Sequence, residues 1–219
     1  MNKKAIFSTS WLQHPSYLAR SQQWLDYYTA FFKGTGTDLY IINDGPAIDF
    51  DPRCTVIGFP EHLGRPKFLC VAGWKRSFWT GLKLSEQYAH LGHIESDCWV
   101  LPLGRDEFLE KMNSPNYYVA DCVAYGFPET SLQILNDKSI IDHWINRYAT
   151  TESWFEEINV EMYVRNILKP IPFLKGGRFE GVPTRIKPDS TYVSQALWDA
   201  ICKYVLLIND QVAKWNKEH

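Results

Sequence analysis

His93-Ile94-Glu95-Ser96-Asp97-Cys98-Trp99-Val100-Leu101 sets two carboxylates one residue apart between apolar runs. That is a costly place for charge unless the acids are paired or hold a metal. When the chain turns between them, both can approach one hard cation. Mg²⁺ and Mn²⁺ favour oxygen ligands and keep open positions for phosphate oxygens. Upstream, Gly73–Leu91 carries Trp74, Phe78, Leu82 and Ala89 on one helical face, with Lys75, Arg76, Lys83 and Glu86 elsewhere around it. This pattern predicts a helix that stops at Leu91-Gly92. Glu95-Ser96-Asp97 is therefore expected at or near a strand end.

Outward toward the N-terminus, Ala5–Thr9 reads as a first strand and Ser16–Phe32 as a helix closed by Gly34 and Gly36. Leu39-Tyr40-Ile41-Ile42 reads as a buried strand stopped by the turn signal Asn43-Asp44-Gly45-Pro46, and Cys54–Ile57 as a short third strand. Strand, helix, strand, strand, helix, strand is the order of a mostly parallel sheet covered by helices, whose ligands bind beyond the carboxyl ends of the strands.

The second half reads differently. A strand is expected around Tyr117–Ala120. Phe127-Pro128-Glu129-Thr130 is expected to open a helix running through Leu135, since Thr130 and Ser131 suit helix starts. Lys138–Tyr148 and Ser153–Leu168 are predicted helices, the latter acidic at Glu156, Glu157 and Glu161. Lys169–Pro188, rich in proline and glycine, reads as a long structured loop or flap with Lys175, Arg178 and Arg185 as cations. Tyr192–Trp215 reads as a closing helix. Residues 1–135 thus form an α/β part, and 136–219 a helical extension of the same domain.

At 219 residues, 45% hydrophobic and 22% charged, the chain is sized and composed as one globular domain. A formal charge of −2 argues against a general nucleic-acid binder. The five cysteines are odd in number and form no C-x-x-C pair, so they read as reduced thiols and point to a cytoplasmic setting. No apolar run is long enough to span a membrane. Aromatics stand out at 15%, with nine tryptophans. Such rings fill cores and also wall sites for sugars and nucleobases.

Lys75 and Arg76 could neutralise a diphosphate through charge-assisted hydrogen bonds, and Arg76 has the fork that matches phosphate oxygens. His93 can be read as a metal ligand or as a structural histidine at a strand edge. No P-loop, dinucleotide, zinc-protease or serine-hydrolase motif occurs.

The acid-x-acid triplet after a helix, together with a strand ending in Asn43-Asp44-Gly45, resembles the nucleotide-sugar glycosyltransferases of the GT-A fold. Ile41-Ile42-Asn43-Asp44-Gly45-Pro46 is similar to the second-strand motif of the family-2 enzymes, and Gly73 through Asp97 to their helix-to-acid-motif segment. The likeness covers roughly residues 5–135. It implies a GT-A-like α/β fold, a mixed central sheet with helices on both faces and a helical C-terminal section. It also implies transfer of a hexose or similar sugar from a nucleotide-diphosphate sugar to a glycan or other hydroxyl acceptor. Glu95 and Asp97 would hold Mn²⁺ or Mg²⁺, with Ser96 between them in the donor-binding triplet. Asp44 would meet the nucleoside and Arg76 the diphosphate. Glu129 resembles the acid that opens a helix after the metal motif and takes the acceptor proton.

Two departures stand out. Glu95 replaces the usual first Asp, lengthening one arm and leaving the metal open. Ser8-Thr9-Ser10 and His14-Pro15-Ser16 replace the family-2 first-strand pattern, leaving base contacts there unassigned. The rival readings are a nucleotidyltransferase, whose Gly-rich basic loop is not seen after the first strand, and a non-catalytic sugar-binding module.

Overall fold

The computed structural model describes residues 3–64, 72–122, 127–150, 160–177 and 190–195, together with Trp198, Asp199 and Cys202. Chain order begins β1 (Lys4–Ser10), α1 (Pro15–Phe31), β2 (Thr37–Asn43), β3 (Thr55–Ile57), α2 (Ala72–Leu82), β4 (His90–Ile94) and β5 (Cys98–Val100). It continues through α3 (Arg105–Met112), β6 (Tyr117–Cys122), β7 (Phe127–Leu135), α4 (Lys138–Thr150) and α5 (Val160–Tyr163), the last running into a π turn, Val164–Leu168. Strands β8 (Ile171–Gly177) and β9 (Tyr192–Ser194) follow.

The described strands form one sheet in the order β3-β2-β1-β4-β7-β6-β8-β9-β5. Its first four strands are parallel, and β7 then runs antiparallel to both β4 and β6. Alternation along β1 explains the two cores. Ile6 faces Trp24, Leu25 and Tyr28 of α1 and Phe108 and Met112 of α3, whereas Ala5 and Phe7 face Phe78 and Leu82 of α2 and Trp144 of α4. Each fully buried large side chain is worth about 1.5–3 kcal/mol. Both faces of the sheet are therefore covered by helices. In α1 the buried residues Ser21, Trp24, Leu25, Tyr28 and Phe31 follow the helical period, and a proline occupies its first position, where no N–H is needed.

Four expectations are corrected. The helix expected over Gly73–Leu91 ends at Leu82, passes into a 3₁₀ turn at Lys83–Glu86, and gives way to β4. Leu91-Gly92 is strand rather than a helix stop. Gly92 pairs with Ile6 and Ile134, and a Cβ there would lie 2.5 Å from Ile6 Cδ1, so the glycine serves close packing.

The helix expected from Phe127 through Leu135 is strand β7. It lies between β4 and β6 and is buried on both faces, with Leu132 and Ile134 on one side and Ser131, Gln133 and Leu135 on the other. The hydroxyl read as a helix cap instead donates to a neighbouring carboxylate, Ser131 Oγ to Glu129.

Within the expected loop 169–188, residues 171–177 are strand β8, parallel to β6; residues 178–189 lie outside the described residues. The expected helix from Tyr192 instead begins as strand β9, antiparallel to β5. The C-terminal section thus contributes strands to the same sheet.

Candidate active site

From β1 the chain moves outward on one side to β2 and β3, then returns to β4 on the other. The crevice between the carboxyl ends of β1 and β4 is a topological switch point, where open α/β sheets bind ligands. A cleft of about 570 Å³ opens there, lined from Ser10 at the end of β1 and Trp11 beyond it, Asp44 after β2, Trp74 and Ser77 of α2, and Glu95-Ser96-Asp97 after β4.

Asn43, at the end of β2, is fully buried and fastens two loops. Leu12 N–H donates to its Oδ1 at 2.7 Å, while its Nδ2 donates to Pro46 O at 2.7 Å and to Gln13 Oε1 at 3.2 Å.

Asp44 is also buried and its carboxylate is heavily engaged. It accepts from the Arg76 guanidinium and from Gly64 N–H at 2.8 Å, and His62 Nδ1 lies 3.0 Å from Oδ2. His62 Nδ1 is also 2.6 Å from the Asp44 carbonyl oxygen. Both of these neighbours are acceptors, so that nitrogen carries the proton. Arg76 in turn lies 4.0 Å over the Phe59 ring and donates to Glu61 O at 2.7 Å. Gly73 is required by this arrangement: a Cβ would fall 1.9 Å from Asp44 Oδ2. Asp44 and Arg76, assigned to nucleoside and diphosphate on resemblance, are thus bound to each other, and Arg76 is not among the residues lining the cleft.

Glu95-Ser96-Asp97 forms a tight turn, closed by Cys98 N–H donating to Glu95 O at 3.0 Å. Its flanks are tied to β7 and to the residue after β9: Glu95 N–H donates to Ser131 O at 2.8 Å and Gln195 N–H to Asp97 O at 2.9 Å. Trp74 Nε1–H donates to Glu95 Oε1 at 2.5 Å. The indole is held parallel to Phe78 with centroids 4.9 Å apart, and lies edge-on to His93. Glu95 and Asp97 therefore line one cleft from a hydrogen-bonded turn, with Ser96 buried between them.

The donor chemistry of that pair fits a hard divalent cation. Among the described residues no group of three or more His, Cys, Asp or Glu side chains could hold a metal ion. A two-carboxylate set fits a cation whose remaining positions are filled by phosphate oxygens and water, rather than one caged by protein alone.

Glu129 lies two residues along β7 from Ser131, whose carbonyl takes the Glu95 N–H. It is buried and does not line the cleft; its carboxylate accepts from both Ser131 N–H, at 3.2 Å, and Ser131 Oγ. Burial pushes the Tyr192 phenol well up in pKa, and the nearby Glu129 carboxylate adds to that rise. His93 is buried between Phe7 and Phe78 with Nδ1 3.2 Å from Thr130 O, and does not line the cleft either. Lys175 of β8 borders a separate hollow of about 220 Å³ with Glu107 and Asp121. Arg178, Arg185, Glu156 and Glu157 lie outside the described residues. Glu161 accepts from Thr130 Oγ1 at 3.0 Å.

A likeness among solved structures is now interpretable. The chain is similar to a glycosyltransferase involved in the glycosylation of the major capsid of PBCV-1, with a TM-score of 0.55 at 12% identity over 89% of this chain and 93% of that one. The fold is GT-A-like. A protein from Desulfovibrio desulfuricans G20, provisionally described as a nucleotide-diphospho-sugar transferase, is a looser likeness, with a TM-score of 0.39 at 10% identity over 80% of this chain and 79% of that one. No family model and no curated protein sequence matches the chain.

Sequence reasoning missed much of the wall of this GT-A-like cleft. Trp11, His14, Tyr17 and Arg20 line it from the β1–α1 connection and α1, and His62 from the segment after β3. Trp11 and His62 stack at 3.9 Å with their planes 10° apart. The signal for Trp11 was its place just beyond the end of the first strand, where such sheets bind ligands. Nothing in the sequence pointed to His62. Among the described residues no helix is long and apolar enough to cross a membrane.

Proposed function

We propose that this chain is a metal-dependent glycosyltransferase that moves a hexose or similar sugar from a nucleotide-diphosphate sugar to a glycan or other hydroxyl acceptor. One observation carries the reading: Glu95 and Asp97 line a single cleft at the switch point of a GT-A-like sheet, on a turn tied to β7 and to Gln195 just after β9. Glu95 and Asp97 would hold Mn²⁺ or Mg²⁺, which when bound neutralises charge on the departing diphosphate. Ser96 sits buried between them at the cleft wall. Asp44 and Arg76, paired together, shape the nucleoside side of the cleft by fixing the segment from Glu61 to Gly64.

In the transfer, the anomeric carbon exchanges its bond to a diphosphate oxygen for one to the acceptor oxygen. Direct displacement inverts the sugar. On the family resemblance Glu129 is the acid that takes the acceptor proton; its carboxylate, buried on Ser131 outside the cleft, would have to swing free of that hydroxyl to do so.

Calorimetry of nucleoside diphosphates with and without Mn²⁺ tests the proposal. Wild type should bind one of them in the presence of metal, and Asp97→Asn should lose that metal-dependent binding. Equal binding by Asp97→Asn, or binding of glycans alone regardless of this substitution, would remove the transferase reading in favour of a sugar-binding module.

A further inference from the structure

Among the described residues, charge around the cleft does not balance without one that no motif singled out. Its lining includes the carboxylates of Asp44, Glu95 and Asp97 and, among the described residues, one permanently charged cation, Arg20. Asp44 is already answered by Arg76 from behind the wall. A divalent cation on Glu95 and Asp97 would cancel those two. The diphosphate of a donor would then bring an excess of negative charge into a cleft whose remaining permanent cation, among the described residues, is Arg20.

Position supports the same conclusion. One face of α1 climbs the edge of the sheet through Tyr27, Gln23 and Arg20, at helical spacing. Tyr27 Oη donates to Val100 O at 2.5 Å, inside β5. A turn higher, Gln195 Nε2 donates to Gln23 Oε1 at 3.4 Å, while Gln195 N–H donates to Asp97 O. Gln23 is thus level with the metal turn, and Arg20 stands about one helical turn, ~5 Å, beyond it on the cleft side. The guanidinium lies 5.2 Å from the Tyr17 ring centroid and has no carboxylate partner among the described residues. It is half-buried and oriented by an aromatic face, and its donors are available to an anion.

We propose that Arg20, rather than Arg76, is the cation that meets the diphosphate of the donor, opposite the Glu95–Asp97 pair. This rests on the transferase reading and assigns it a phosphate-binding residue on α1. The planar fork takes two phosphate oxygens at once, an arrangement Lys cannot reproduce.

The test compares UDP, GDP, ADP, CDP and dTDP, each with MnCl₂ and each against its parent nucleoside, by calorimetry on wild type and Arg20→Ala. For the diphosphate that wild type binds, Arg20→Ala should weaken affinity about ten- to a hundredfold, the range for charge-assisted hydrogen bonds. Affinity for the matching nucleoside should stay within about twofold. Arg20→Lys should recover only part of the loss. Should Arg20→Ala unfold, Arg20→Gln keeps the packing on Tyr17 and gives the same comparison. Wild-type affinity for the diphosphate in the substituted chain overturns the assignment of Arg20 alone, and so does equal weakening of nucleoside and diphosphate. A wild-type chain that binds none of the diphosphates overturns the transferase reading as well.

Discussion

If Asp44 is the anchor of the cleft wall rather than a ligand that waits for nucleoside, removing it should cost stability before it costs binding. Its side chain is 8% exposed, and that of Arg76 is 21% exposed. In Asp44→Ala, Arg76 loses its carboxylate while still packed over Phe59, and Gly64 N–H and His62 Nδ1 lose an acceptor. Breaking a buried pair by removing one partner costs about 3–5 kcal/mol, and the partial exposure of Arg76 places this one near the lower end, about 3 kcal/mol. For a domain of this size that is a fall in Tm of about 6–12 °C. Arg76→Ala should cost about 2–3 kcal/mol, since it leaves Asp44 with the Gly64 and Leu63 N–H groups and His62. The double variant should cost less than the sum, with a coupling energy of about 1.5–3 kcal/mol. Urea unfolding of the four proteins, followed by far-UV circular dichroism, measures the cycle. A coupling energy below about 0.5 kcal/mol, with both single variants as stable as wild type, would refute the anchoring role.

Two further predictions concern the turn and the base. Trp74→Phe keeps an aromatic ring against Phe78 but deletes the N–H that holds Glu95 Oε1, so the Mn²⁺ concentration for half-maximal nucleotide binding should rise about tenfold while Tm changes little; metal titration by calorimetry reads the first and thermal unfolding the second. Glu129→Gln should lower turnover about 10²–10⁴-fold with donor affinity unchanged, the loss typical of a proton acceptor. A similar fall in donor affinity would instead assign Glu129 to holding the strand end beside Glu95.

The parallel half of the fold was legible because its signals are local. β1, α1, β2 and β3 each carry their own periodicity and their own stop, and each appears within a residue or two of where it was expected. What failed was the reading of segments whose state is set by their neighbours. Thr130 and Ser131 look like helix starters when viewed alone, yet β7 lies between β4 and β6, where ladder bonds on both sides outweigh a cap. Leu91-Gly92 looks like a helix stop, yet the glycine is there because Ile6 of β1 approaches within 2.5 Å of where a Cβ would be. Strand β8 was hidden in a stretch of glycine and proline, and its pairing with β6 spans a separation in sequence that no local pattern records.

The site divides along the same line. Glu95 and Asp97 could be singled out as candidates because two acids one residue apart in an apolar setting demand a partner. Asp44 and Arg76 were found as residues but not as a pair, because the ion pair between them closes only when β2 and α2 are brought together. Once it closes, the electrostatics of the cleft change sign of argument. An arginine that satisfies Asp44 from behind cannot also supply the positive charge a diphosphate needs. In the proposed assignment that requirement passes to a residue whose sequence context, Ala19-Arg20-Ser21 on the first helix, carries no motif at all. The Asp44–Arg76 pairing is the observation from which that assignment starts.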